Sequence, residues 1–141
     1  MSKFFKVNVS TVIFNDTEQI LIQKRSEEEE VFPGLWGIPG GTVEMTDASL
    51  IDALRREVRE EVSVDIDNIE FIKENVRAKE MYGMVYIVFT SKLLSGIAKP
   101  DQDTEEVKWI EKDELDQYKF TPTTKETIKE IYERKSTNNS I

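Results

Sequence analysis

Three glutamates, Glu57, Glu60 and Glu61, have the spacing of groups that act together on one face of a helix. Residues three or four positions apart are neighbours on a helix surface, and like-charged pairs there cost roughly 0.2 to 0.5 kcal/mol each. A hard divalent cation such as Mg²⁺ or Mn²⁺ would offset this repulsion, because these ions prefer carboxylate oxygens and keep positions open for water and phosphate. The alternative is a solvated acidic face that pairs with the arginines of the same segment.

The segment from Ser49 to Val62 has the pattern of an amphipathic helix. At about 100° per residue, Leu54, Val58 and Val62 fall on one apolar stripe that should face the core. Ser49 and Asp52 form a weak capping box, with Asp in place of the usual Glu, and indicate where the helix begins. The arginines make a second stripe beside the glutamates: Arg55, Arg56 and Arg59.

Residues 41–64 resemble the signature of the Nudix hydrolases, in which a glycine and an acidic residue precede Arg-Glu-apolar-x-Glu-Glu-x-Gly-apolar. This sequence departs from the signature at three places. One extra residue separates Asp47 from Arg56, either Asp47 or Ala48 stands in place of the usual Glu, and Ser63 replaces the last Gly. A loop absorbs the first two changes easily, so the spacing of Arg56 and the three glutamates is retained.

The resemblance implies a metal site and a set of catalytic residues. Glu57, Glu60 and Glu61 would be the metal ligands, and the carbonyl of Gly40 would add a backbone oxygen. The catalytic set would be Glu57, Glu60 and Arg56, with Arg56 holding the glutamates through an ion pair. The implied cofactor is Mg²⁺, with Mn²⁺ as the alternative, and it would activate a water for attack on phosphorus. Either Glu57 or a loop acid would take the proton of that water; the loop candidates are Asp103, Glu105 and Glu106.

The resemblance also implies residues that bind substrate. Arg25 matches a position that contacts phosphate in the MutT-like branch. Tyr82 has the spacing after Val64 of a Tyr in diadenosine polyphosphate hydrolases, although a Tyr on a strand more often lies in the core or at its rim. Trp36 is expected to pack beside the helix, with stacking on a base as the alternative. The complete set on the substrate side is Arg25, Tyr82, Glu105 and Glu106.

These features together predict a Mg²⁺-dependent pyrophosphohydrolase that cleaves a nucleoside diphosphate linked to another group. The run Phe-Pro-Gly-Leu-Trp-Gly-Ile-Pro-Gly-Gly looks like that of MutT-type enzymes, which favours a nucleoside triphosphate as the substrate. The alternatives are a diadenosine polyphosphate or nucleotide-sugar hydrolase and, in another class, a non-catalytic nucleotide-binding module.

Composition restricts the remaining classes. The 141 residues contain no Cys and no His and carry a net charge of -9. The absences exclude disulfides, thiolate nucleophiles and imidazole bases, and the charge opposes binding to nucleic acid polymers or anionic membranes. The sequence has no secretory signal and no apolar run near the roughly 20 residues that span a bilayer, so we expect a cytoplasmic protein. Because members of the resembled family are often homodimers, a homodimer stays open.

Alternation and turn signals predict the other elements. Strands are expected at residues 5–13, 20–25, 35–38, 69–76, 81–94 and 107–110, with residues 85–89 central and buried. A short helix is expected at 113–118 and a last helix from an N-cap at Thr121, with Pro122 next, to about Arg134. Residues 135–141 are expected to form a frayed tail. The pattern and the resemblance predict one domain over residues 1–141, an α/β/α sandwich with a mixed β-sheet between helices.

Overall fold

The computed structural model describes residues 3–139 as a mixed β-sheet with a helix packed on each face. The strands are β1 (Phe5–Phe14), β2 (Ile20–Arg25), β3 (Trp36–Gly37), β4 (Gly40–Thr42), β5 (Asp65–Ala78), β6 (Gly83–Ser95) and β7 (Thr104–Ile110). The helices are α1 (Leu50–Val62) and α2 (Thr124–Asn139), and a short 3-10 helix covers Lys112–Gln117. Within residues 3–139, neither α-helix combines the length and apolar character needed to cross a bilayer.

The sheet order is β3-β2-β1-β6-β5, with β4 paired to β1 and β7 paired to β2. β1 runs parallel to β6 along its whole length, whereas the other pairs are antiparallel. β1 and β2 form a hairpin, but they share only the pair Phe14 and Ile20. Beyond that pair, residues 36–42 run between the two strands, because β3 pairs with β2 and β4 pairs with β1.

Each face of the sheet carries its own apolar core. On one face, α1 buries its predicted stripe, Leu54, Val58 and Val62, against residues of β1, β2, β5 and β6. On the other face, α2 buries Ile128 and Ile131 against β1, β2 and β3. Full burial of such a side chain stabilises the fold by roughly 1.5 to 3 kcal/mol. The predicted α/β/α sandwich with a mixed sheet is confirmed.

Helix α1 has the ends that its sequence predicts. The Ser49 side chain accepts a hydrogen bond of 3.0 Å from the backbone N–H of Asp52. At the other end Ser63 has φ 62° and ψ 32°, the left-handed conformation that the resembled signature fills with glycine. The Ser63 N–H donates to the Arg59 carbonyl at 3.2 Å and satisfies one of the last free carbonyls of the helix.

Helix α2 differs from its prediction at both ends. It begins at Thr124, because the Thr121 N–H donates to the Trp36 carbonyl of β3 and Thr123 has a left-handed φ of 68°. It continues to Asn139, so residues 135–139, predicted as part of a frayed tail, lie in the helix, whereas residues 140–141 lie outside the described part. Lys135 holds this last turn against the sheet, through an ion pair with Glu18 at 3.2 Å and a position over the Phe14 ring.

The prediction that residues 85–89 are central and buried is correct only in part. Strand β6 lies between β1 and β5, but of these five residues only Phe89 is buried. Residues 85–88 are only partly buried. On β5, at the edge of the sheet, Phe71 and Val76 are more than half exposed, at 58% and 60%. Residues 73–75 and Arg77 of β5 and Tyr86 and Val88 of β6 border a cavity on the α2 face.

Candidate active site

Arg56 is the centre of the acidic face of α1. Its Nη1 donates to Glu57 Oε1 at 2.9 Å and to Glu60 Oε2 at 3.2 Å. The same nitrogen lies 3.5 Å from Glu44 Oε1, and Nη2 donates to the Thr42 carbonyl at 3.2 Å. One guanidinium therefore joins two of the predicted metal ligands to the segment that precedes the helix.

Asp47 is the residue that fixes Arg56 in this position. Its two carboxylate oxygens accept from Arg56 Nε at 2.9 Å and Nη2 at 2.8 Å, the paired geometry that an arginine makes best. Asp47 Oδ2 also accepts from the Glu44 N–H at 2.8 Å. The hydrogen bonds from Arg56 lower the pKa of Asp47 to about 2, and the same hydrogen bonds raise the pKa of the guanidinium. Of the two alternatives left by the sequence, Asp47 rather than Ala48 contacts Arg56.

Glu57 lies against the backbone of β4. A Cβ placed on Gly41 would be only 2.3 Å from Glu57 Oε2, so the absence of a side chain at Gly41 makes room for this carboxylate. The Glu57 side chain is 13% exposed. Desolvation raises the pKa of Glu57 above its ordinary value, although the Arg56 hydrogen bond opposes the shift.

Glu61 faces a different set of partners. Its Oε1 accepts from the Gly40 N–H at 2.9 Å and from Gln23 Nε2 at 3.2 Å. Desolvation by burial raises the pKa of Glu61 to about 7, and these two hydrogen bonds only partly counter the effect. Gly40 was predicted to bind metal through its carbonyl, whereas here its N–H binds the carboxylate.

The three glutamates do not converge on one point. Within residues 3–139, no three acidic side chains lie close enough together to enclose a metal ion. The positive charge of Arg56 offsets the repulsion between Glu57 and Glu60, so this repulsion does not by itself require a metal cation. The other two arginines of the helix point elsewhere: Arg55 donates to the Ile66 carbonyl and Arg59 pairs with Asp65. The predicted pairing with arginines is therefore right for Arg56 alone.

The donor chemistry nevertheless fits a hard divalent cation. The available ligands are carboxylate and backbone oxygens, the donors that Mg²⁺ and Mn²⁺ prefer. Burial raises the pKa values of Glu57 and Glu61, and a nearby cation would reverse that shift because it favours the ionised carboxylate.

A cavity of about 410 Å³, in the size range of small-molecule sites, is lined in part by Gln23, the residue that donates to Glu61. Gln23 and Arg25 of β2 border it on one side, and residues of β1, β5 and β6 border it on the other. Loop residues 121–123 and the start of α2 close a third side. The polar and charged side chains that line it from the sheet are Asn8, Ser10, Gln23, Arg25, Lys73, Glu74, Asn75, Arg77 and Tyr86.

Of the predicted substrate-side residues, the structure brings Arg25 to this cavity. Arg25 Nε donates to the Val31 carbonyl at 2.9 Å, and its Nη2 lies 3.6 Å from Glu29. The other three make contacts elsewhere. Glu105 lies 3.7 Å from Lys24 and Glu106 lies 3.7 Å from Lys108.

Tyr82 stacks on Phe4 at the tip of the β5–β6 hairpin, with ring centroids 5.6 Å apart. This partly buried position corresponds to the rim of the core, which was the alternative to substrate binding in the sequence analysis. Trp36 is packed, 8% exposed and edge-on to Tyr118, but it lies in the core under α2 and not beside α1 as predicted. Gln23 and Asn75 are cavity residues that the sequence did not reveal, because no motif links strands so far apart along the chain.

Residues 4–131 match the family model of the NUDIX domain, which accounts for most of the chain. The chain therefore belongs to the NUDIX family, and the prediction of a Nudix hydrolase is confirmed at that level.

Similar proteins agree with this assignment. The nucleoside triphosphatase NudI of Escherichia coli is 29% identical, and the alignment covers 86% of this chain and 92% of NudI. The MutT protein from Methanosarcina mazei Go1 has a TM-score of 0.75 at 22% identity, covering 96% of this chain and 98% of its own. The NUDIX domain of Shewanella oneidensis NrtR, complexed with ADP ribose, has a TM-score of 0.76 at 22% identity, covering 95% and 89%.

Proposed function

We propose that this chain hydrolyses a phosphoric anhydride bond of a nucleoside triphosphate in the presence of a divalent cation. The observation that carries the proposal is the contact between Gln23 and Glu61, because it joins the acidic face of α1 to a nucleotide-sized cavity. The similarity to NudI, a nucleoside triphosphatase, favours this substrate.

The residues divide the work between two regions. Glu57, Glu60, Glu61 and the Gly40 carbonyl would hold Mg²⁺ or Mn²⁺, which when bound neutralises phosphate charge and acidifies a water. Arg56 keeps Glu57 and Glu60 in place through its two hydrogen bonds. Glu57 is the candidate to take the proton of the water, because burial has already raised its pKa.

The cavity would bind the nucleoside. Arg25 at its border provides a cation for a phosphate oxygen, and Asn8, Asn75 and Tyr86 provide hydrogen-bonding groups for a base. Glu105, Glu106 and Tyr82 lie outside the lining, so the proposal assigns them no direct contact with the base. Cytoplasmic location and a homodimer stay predictions.

A dinucleoside polyphosphate or nucleotide-sugar hydrolase is the second candidate. The structural neighbour NrtR was solved with ADP ribose, a nucleoside diphosphate linked to a sugar. The cavity is also lined by Lys73, Arg77 and Lys79, and these cations would suit a further anionic group. The third candidate, a non-catalytic binding module, is disfavoured because Arg56 and all three glutamates are present.

The test is hydrolysis by the purified full chain of nucleoside triphosphates, dinucleoside polyphosphates and nucleotide sugars, with and without Mg²⁺. We expect release of phosphate or pyrophosphate from a triphosphate only with the metal. Glu60→Gln and Glu61→Gln should each lower kcat by about a hundredfold or more.

The matched control is Glu126→Gln, the same change at an exposed position in α2, which should leave kcat unchanged. Full activity in both Glu60→Gln and Glu61→Gln would refute the metal assignment. Tight nucleotide binding without any product would favour the binding module instead.

A further inference from the structure

Gln23 has a buried amide that its own protein satisfies only in part. The residue is 7% exposed and lies on β2, where its backbone position is fixed by pairing with Gly37 of β3 and Val107 of β7. Its Nε2 donates to Glu61 Oε1 at 3.2 Å. Its Oε1 is fully buried and has no hydrogen-bond partner among residues 3–139, although Gln23 borders the cavity.

Such an oxygen needs an explanation, because the great majority of buried polar side-chain atoms have a partner. Rotating the amide by half a turn does not solve the problem. That rotation would place Oε1 against the Glu61 carboxylate and leave the two N–H donors of Nε2 unpaired. The orientation seen here is therefore the better one, and it leaves Oε1 without a hydrogen-bond donor in a residue that borders the cavity.

We propose that Gln23 Oε1 accepts a hydrogen bond from a pentose hydroxyl of the bound nucleotide, while Nε2 of the same amide holds Glu61. Gln23 is thus a positioning residue for Glu61 and a specificity residue for the sugar. This inference rests on the proposed function, since it requires a nucleotide in the cavity.

The position of Gln23 indicates which part of the nucleotide supplies the donor. Gln23 lines the cavity and contacts Glu61, one of the proposed metal ligands, so the phosphates would lie on the Gln23 side of the cavity, and the sugar is the part of a nucleotide next to its phosphates. A pentose has hydroxyl donors, whereas its ring oxygen can only accept. The base would lie farther along the cavity, near Asn8, Asn75 and Tyr86.

The arrangement predicts a coupling between the sugar and Gln23. A nucleotide without hydroxyls would bury Oε1 unpaired, and a site built to hydrogen-bond a hydroxyl rejects the analogue that lacks it. If Gln23 is replaced by an apolar residue, no acceptor remains to form a hydrogen bond with the hydroxyl. The preference should then disappear.

The first measurement is calorimetric binding of the ribonucleoside 5′-monophosphates and their 2′,3′-dideoxy counterparts. Monophosphates contain no phosphoric anhydride bond, so turnover does not interfere. We expect the natural protein to bind a ribonucleoside monophosphate about tenfold more tightly than the dideoxy form. In Gln23→Met the ratio should fall to about one. The 2′-deoxy and 3′-deoxy compounds identify which hydroxyl is bound.

The second measurement is kcat and KM for the matching triphosphates with Mg²⁺. Gln23→Glu keeps an acceptor for the hydroxyl but cannot donate to an ionised Glu61. We expect it to retain the sugar preference in KM and to lose kcat, a division that general loss of structure would not produce. Gln117→Met, the same change as Gln23→Met at an exposed position, should behave like the natural protein.

Two results would overturn the inference. One is equal binding of ribo and dideoxy compounds by the natural protein, a comparison that does not depend on whether any variant folds. The other is an equal preference for the ribo over the dideoxy compound in the natural protein and in Gln23→Met, because the sugar hydroxyls and Gln23 would then not be energetically coupled. If either result is found and nucleotide hydrolysis is still observed, only the role of Gln23 is rejected. If the natural protein neither binds nor hydrolyses nucleotides, the proposed function is rejected as well.

Discussion

The acidic face of α1 contains two regions that satisfy negative charge by different means. Around Arg56, the carboxylates of Asp47, Glu57 and Glu60 receive hydrogen bonds from a guanidinium. Around Glu61, the partners are the Gly40 amide and Gln23, and both are neutral. Neighbours on one helix therefore differ in proton affinity, because burial next to neutral donors raises a carboxylate pKa and a cation lowers it.

The comparison also separates what the protein completes alone from what it leaves open. In the Arg56 region, the guanidinium already donates to Asp47, Glu57 and Glu60, so this region can assemble before any ligand arrives. The Glu61 region ends in an unpaired amide oxygen beside a cavity. The first region is organised by folding, and we expect the second to be completed by binding.

The largest expected effect comes from removing the guanidinium. Arg56→Gln should lower kcat by roughly a hundredfold, because Glu57 and Glu60 lose the group that positions them. It should also lower the free energy of unfolding by about 2 kcal/mol, less than the roughly 3 to 5 kcal/mol of a fully buried pair because Arg56 is partly exposed. Activity assays and urea unfolding measure the two effects.

Arg59→Gln is the control for this variant. Arg59 lies on the same helix and is largely exposed, and within residues 3–139 its only ion pair is with Asp65. Its loss should change the free energy of unfolding by no more than about 1 kcal/mol and leave kcat unchanged. Similar losses in both variants would show that Arg56 has no special position.

Lowering the pH should reduce the free energy of unfolding, because Asp47 becomes protonated and loses its ion pair with Arg56. The folded-state pKa of about 2 lies below the ordinary value of 3.8, so this carboxylate stabilises the fold fully at higher pH. The stabilisation is lost as the pH falls from about 4 through about 2, because the unfolded chain takes up the proton first. Asp47→Asn should remove this part of the acid dependence in urea unfolding curves.

Asp67→Asn serves as the matched change, at an exposed position on β5. It should leave the slope of stability against pH between about 4 and 2 as in the natural protein. The Asp47 interpretation fails if Asp47→Asn keeps that slope unchanged.

The smallest expected effect concerns the end of α1 beyond Glu61. Ser63→Gly should raise the free energy of unfolding by about 1 kcal/mol, because glycine adopts the left-handed φ of 62° without a Cβ penalty. Activity should stay unchanged, since Glu61 keeps its partners. A melting temperature that falls would contradict the strain argument.

The sequence predicted α1 almost completely. Its apolar stripe, the Ser49 cap and the left-handed Ser63 are local signals, and the structure shows all three. The partner of Arg56 could not be chosen from sequence, because an inserted residue leaves the loop register undefined between Asp47 and Ala48. Three-dimensional contacts decide between them.

The cavity was beyond prediction for a related reason. Gln23 and Glu61 are 38 positions apart, and Asn8, Asn75 and Tyr86 come from three strands that only the sheet brings together. The start of α2 was also missed: Thr121 and Pro122 have the residue types of a cap, but the Thr121 N–H donates to the Trp36 carbonyl and the helix begins only at Thr124. Long-range pairing overrode the local preference there.

Residues 36–42, which run between β1 and β2 in the sheet, connect the core under α2 to the acidic face of α1. Catalysis should therefore be sensitive to changes in that core. At one end Trp36 is packed beneath α2, and a few residues later Gly40 and Gly41 touch Glu61 and Glu57. A repacking change under Trp36 would thus shift the backbone amide that orients a carboxylate on the far side of the molecule. Engineering for heat resistance in that core should be screened for turnover as well as for melting temperature.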